Sequence, residues 1–138
     1  MSTRRPLRGA AAVEFALAGT LLLVVLFGAV DWSWFLYHYL AVVRASERGA
    51  RLAAATPTDG DPAAEAEAAV GQAMAQFGVA AERVQVTTTL DGAPGAQVVR
   101  VEVELSEPAL IGTSLVPEAA RASTSQHYEA VLPPEPET

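Results

Sequence analysis

The residues of this chain whose types could break bonds or hold metals are not spaced for either task. His38 and His127 are the two histidines, and neither lies in a His-Glu-x-x-His pattern. Ser114 is not in a Gly-x-Ser-x-Gly elbow. With no cysteine there is no thiol nucleophile, thiolate metal site or disulfide. Asp59 and Asp61 could touch calcium, but a single Asp-x-Asp pair lacks the remaining oxygen ligands, so it reads as a solvated loop. Glu102, Glu104 and Glu107 read as the exposed face of a sheet and its end. The expectation is no catalytic residue, no metal and no cofactor.

Two carboxylates are placed unusually. Glu14 interrupts an apolar run from Ala10 to Val30, and Asp31 ends it. The run has 21 residues, which at ~1.5 Å per residue make about 31 Å of helix, matching a bilayer core of ~30 Å. Trp32, Trp34, Phe35, Tyr37 and Tyr39 follow, and amphipathic rings prefer the headgroup level. Arg4, Arg5 and Arg8 precede the run, and positive flanks stay cytoplasmic, so the expected topology is a single span with the N-terminus in and the C-terminal part outside. A cleaved secretory signal fits less well: cutting after Gly28 or Ala29 places Leu26 or Phe27 where a small side chain is wanted. A soluble core helix is also disfavoured, because so small a domain cannot cover an apolar surface all round.

An ionised side chain at the centre of a span costs ~2.5 to 3.5 kcal/mol on insertion scales, and less near an end. Taken alone, Glu14 is a boundary residue favoured by the positive end of the helix dipole. Asp31, beside Trp32 and Trp34, is expected to be a wet contact snorkelling to the outer headgroups rather than an inter-subunit partner. Ala12, Ala16 and Thr20 recur at four-residue spacing with Gly19 beside them, which offers another helix a close approach, although chance spacing in an alanine-rich helix does the same.

The surroundings of Glu14 add a pattern. Arg8-Gly9-Ala10-Ala11-Ala12-Val13-Glu14-Phe15 has a basic leader ending in glycine, a glutamate five residues later and an apolar helix after it. This resembles the processing site of type IV prepilins, and the Glu-Phe pair resembles the Flp subclass. Gly28-Ala29-Val30-Asp31-Trp32 and Ala45-Ser46-Glu47-Arg48-Gly49-Ala50-Arg51 resemble two further stretches of TadE-like proteins, the minor pseudopilins of the tad (tight adherence) pilus system. The resemblance implies cleavage between Gly9 and Ala10 by a membrane prepilin peptidase, then assembly with other pilin or pseudopilin subunits and the tad machinery. The new α-amine of Ala10, with a reference pKa of ~7.7 to 8.0, could then pair with Glu14 of an adjacent subunit.

The rest of the chain reads as an α+β head. The long helix continues as a stalk to about residue 55, with Arg44, Glu47, Arg48 and Arg51 spaced to pair along one face, and stops near Thr56-Pro57. Asp61 and Pro62 form an N-cap and first position for a second helix to about Phe77, closed by Gly78, with Val70, Met74 and Phe77 as its apolar stripe. Val84, Val86, Thr88 and Leu90 alternate with polar residues, as do Val99, Val101, Val103 and Leu105, and Asp91-Gly92-Ala93-Pro94-Gly95 lies between them, so a β-hairpin is predicted. After an irregular stretch around Pro108 to Pro117, Arg121 to Val131 is the third strand of a small antiparallel sheet. The predicted organisation is a leader at 1–9, a transmembrane and stalk helix at 10–55, a head at 62–132 and a disordered tail at 133–138.

Charge agrees with two environments. Residues 1–51 carry six Arg and three acids, for +3, and the remainder carries three Arg and thirteen acids, for −10. An acidic head lacks the phosphate-neutralising surface of a nucleic-acid binder. The reading is a structural subunit of the inner membrane with no small-molecule substrate, and the alternative is an unprocessed, anchored binding module outside any pilus.

Overall fold

The computed structural model describes residues 7–57, 60–92, 97–106, 110–111 and 116–128. Arg4, Arg5, Asp59, Glu107, Ser114, the hairpin turn beyond Gly92 and the tail 133–138 lie outside the described residues.

Helix α1 runs from Leu7 to Ala54, 48 residues and about 72 Å at ~1.5 Å per residue. It begins one turn before the predicted Ala10. Pro57 prevents its continuation and drives Thr56 toward an extended backbone. The last turn tightens instead: the Ala55 N–H is shared by the carbonyls of Arg51 (3.2 Å) and Leu52 (3.1 Å), and the Thr56 hydroxyl donates to Leu52 O at 3.0 Å. Arg44, Glu47, Arg48 and Arg51 form no ion pair with one another among the described residues; Arg51 Nε–H donates to the Glu47 carbonyl at 3.3 Å.

Helix α2, Pro62–Gln76, has both predicted ends. Asp61 Oδ1 accepts the N–H groups of Ala63 (2.9 Å) and Ala64 (3.3 Å), and Pro62 fills a position where an N–H is not needed. At the other end Gly78 takes φ +71°, letting its N–H reach Ala75 O at 3.0 Å and the Val79 N–H reach Met74 O at 3.2 Å. That is a Schellman closure, and Val79 is buried beside it.

The sheet has strand order β1 (Val84–Asp91), β2 (Val98–Ser106), β3 (Ala119–His127), all antiparallel. Its central strand buries Val99, Val101, Val103 and Leu105 completely and turns Arg100 and Glu102 outward. The third strand starts two residues before the predicted Arg121 and is described to His127, the predicted end at Val131 lying outside the described residues. Its length follows from its partner: the nine residues of β2 pair from Ser106↔Ala119 to Val98↔His127. On the solvent face Arg121 donates to Glu104 at 2.7 Å, and this contact holds the guanidinium above the usual arginine range. Exposed as it is, the pair contributes little stability.

One core joins these elements. Leu105 is flanked by Val84 and Ala120, and Val103 by Val86 and Ala122, so side chains become smaller toward β3. Small residues there admit α1, while α2 covers β1. The buried residues of α1 are Asp31, Phe35, His38, Ala41, Val42, Ala45, Ser46, Gly49, Ala50, Ala53 and, beyond its end, Thr56, a helical stripe filling the second half of the helix. The stalk is therefore a wall of the head. The result is the α+β fold expected: a long apolar N-terminal helix, a second helix and a three-stranded antiparallel sheet.

Candidate membrane-boundary site

Below Asp31 the helix is bare. Among the described residues none from 9 to 30 is buried, and every large apolar side chain from Val13 to Val30 is exposed. The helix is long and apolar enough to cross a membrane. Two hydroxyls on the helix bond back to their own backbone, Thr20 to Ala16 O (2.8 Å) and Ser33 to Ala29 O (2.7 Å). Gly9, Ala10, Ala12, Glu14 and Ala16 all lie on this bare segment and are exposed in the single chain. Gly9 and Ala10 are helical, and a Cβ built on Gly9 or Gly19 meets nothing within 4 Å. Among the described residues no contact requires glycine at either position, although glycine in a helix costs about 1 kcal/mol relative to alanine.

At Asp31 the environment changes abruptly. Its side chain is 0% exposed, and Oδ1 accepts the backbone N–H of Leu110 at 3.0 Å and of Ile111 at 2.8 Å. The expectation of a wet, snorkelling carboxylate is corrected: Asp31 is the first residue of the buried stripe and faces the head. The apolar run fixes its distance along the helix axis, while its azimuth is the one it shares with buried Phe35, His38 and Val42. Leu110 and Ile111 were not anticipated as partners of Asp31. Their sole signal was an apolar pair inside an irregular Pro-rich stretch, with nothing linking them to a residue 79 positions earlier.

The aromatic cluster divides along the same line. Trp32, Trp34, Tyr37 and Tyr39 remain substantially exposed, as a belt requires, whereas Phe35 is buried in the core. Phe35 meets Trp32 edge-on at 5.7 Å and stacks with Tyr39 at 6.2 Å. Tyr37 meets Phe77 of α2 edge-on at 5.6 Å. His38 is buried between Trp34 and Tyr37, with ring centroids 4.7 and 5.3 Å away. Its Nδ1–H donates to Trp34 O at 3.0 Å, and since a carbonyl only accepts, Nδ1 carries the proton. His127 lies exposed at the end of β3, on a different element from His38.

Higher on α1, the stretch Ala45 to Arg51 is where the helices cross. Gly49 faces Val70 and Val101. Ser46 is fully buried and donates to Val43 O at 2.9 Å, so in its 2.9 Å contact with Thr124 the threonine hydroxyl is the donor. The small residues of this stretch thus serve close packing against α2 and β3.

Residues 9–51 match the family model for TadE-like proteins. No curated protein and no solved structure matches the chain. The match begins at Gly9 in the first turn of α1, includes Glu14 and Asp31, and ends after the helix crossing at Gly49, so the sheet lies beyond it. The segment from Gly9 to Arg51 is TadE-like.

Proposed function

We propose that this chain is a single-span minor pseudopilin of a tad pilus assembly system, with its N-terminus in the cytoplasm and its head outside the inner membrane. The TadE-like match over residues 9–51 carries this reading. It is supported by a bare apolar helix that ends where the head begins. In this reading a prepilin peptidase cuts between Gly9 and Ala10, for which one helical turn must open. Gly9 weakens that turn and, lacking a Cβ, passes easily into a narrow peptidase cleft. The freed Ala10 amine pairs with Glu14 of a neighbouring subunit, and Ala12 and Ala16 let the helices approach. The chain acts as a structural part with no reaction of its own.

The pairing sets register more than affinity: a buried ion pair adds little net stability, but losing one partner costs ~3 to 5 kcal/mol. Glu14→Leu removes a charge from the span, so insertion and abundance should not fall. Cross-linking to other pilus subunits, compared at equal membrane abundance, should drop by more than about a hundredfold in association constant. Undiminished cross-linking would mark Glu14 as a boundary residue and favour a simple anchored binding module.

A further inference from the structure

Between β2 and β3 the chain meets α1 at the end of the apolar run through Leu110 and Ile111. Asp31 directly follows Val30, and its Oδ1 holds the N–H groups of Leu110 and Ile111 at 3.0 and 2.8 Å. Their side chains are nonetheless 54% and 51% exposed, so the chain fixes two large apolar residues in place without covering them. Leu110 borders an open groove of about 480 Å³ with Ala29, Val30, Ser33, Trp34 and Tyr37. The apolar surface of the span thus continues without a break onto the loop. We propose that Leu110 and Ile111 form a second membrane contact, dipping into the outer leaflet beside α1, with Asp31 as the pin that keeps them there. This rests on the reading of α1 as a membrane span.

The occupant is lipid because of where the patch lies. A helix leaving a bilayer at Val30 places the next turn, and whatever is bonded to it, at the headgroup and upper acyl level, where exposed Trp32, Trp34 and Tyr37 are also favoured. The opposite end of the sheet provides a contrast. Ser46 lies about 22 Å further along α1 at ~1.5 Å per residue, and it touches Thr124, which shares a row with Val101 and Thr88. Leu90 is 46% exposed and lies two residues beyond that row, away from the loop, so it is equally apolar and equally bare but far from the bilayer. Two anchors, one helical and one on a loop, would hold the head leaning on the membrane at a fixed rotation about α1.

Because the chain has no cysteine, single labels report without background. The full chain, carrying a nitroxide on Ile111→Cys, Leu110→Cys, Leu22→Cys or Leu90→Cys, is reconstituted in phosphatidylcholine–phosphatidylglycerol vesicles. Accessibility to oxygen, which partitions into lipid, is compared with accessibility to a water-soluble nickel complex. Expected is an oxygen-to-nickel ratio at 110 and 111 severalfold above that at 90 and approaching that at 22. Adding Asp31→Ala should bring the ratio at 111 down to the value at 90. Ratios at 110 and 111 equal to that at 90, with 22 in lipid, overturn the loop contact and leave the span intact; 22 accessible to nickel overturns the span reading itself. Labels at 110 and 111 shielded from both reagents would mean that protein covers the patch, which also overturns the proposal, and an unchanged ratio in Asp31→Ala overturns the pin.

Discussion

Gly49 stands so close to Val70 that a Cβ on the glycine would lie 2.8 Å from Val70 Cγ2, with Ala66 O and Val101 Cγ1 each at 3.4 Å. Three elements, α1, α2 and β2, converge on one missing methyl group. Gly49→Ala gains helix propensity of up to about 1 kcal/mol. Overpacking against a stiff β-branched side chain costs ~1 to 3 kcal/mol and outweighs it.

Thermal or denaturant unfolding of the detergent-solubilised chain should therefore show Gly49→Ala destabilised, and Val70→Ala should cost less in that background than alone. Gly71, where a Cβ meets nothing within 4 Å on the exposed side of α2, is the control: Gly71→Ala should stabilise by up to about 1 kcal/mol. Equal effects at both glycines would refute the close crossing.

Asp31 should stabilise the head although it stands at the end of an apolar helix. Asp31→Ala leaves the N–H groups of Leu110 and Ile111 without this acceptor, and a hydrogen bond to a charged group contributes ~1.5 to 3 kcal/mol. The expected outcome is a loss of about 3 kcal/mol, with amide exchange at residues 110 and 111 accelerated more than at Val101. Unchanged exchange at both amides would contradict the bonding seen here.

The Ser46–Thr124 contact joins α1 to the outermost strand through two hydroxyls. Ser46→Ala and Thr124→Val should each destabilise by about 1 kcal/mol, while the double variant costs less than their sum, with a coupling of ~0.5 to 1.5 kcal/mol. Strict additivity would show that the two hydroxyls do not support one another.

Much of this architecture could be read from local chemistry. Asp61-Pro62 and Gly78 bracket α2 because capping and left-handed closure depend on neighbours in sequence, and the valines of β2 alternate because a strand has period two. What escaped depended on distant partners. The bounds of β3 are set by β2, Phe35 is in the core because the head covers that face of α1, and Asp31 is buried because a loop 79 residues away reaches it. Aromatic and acidic residues at the end of a span look alike in sequence whether they face lipid, water or protein. Only the azimuth of the helix relative to the sheet distinguishes Trp32 and Trp34 from Phe35, and tertiary packing sets that azimuth.

The pseudopilin reading turns on whether the chain is cut before its apolar helix. Intact mass of the protein extracted from membranes of cells with an active prepilin peptidase measures this directly. A species beginning at Ala10, lost when the peptidase is inactivated, is the predicted result. A species retaining Met1 to Gly9 in those cells would contradict the account, since an uncut leader leaves no Ala10 amine to meet Glu14.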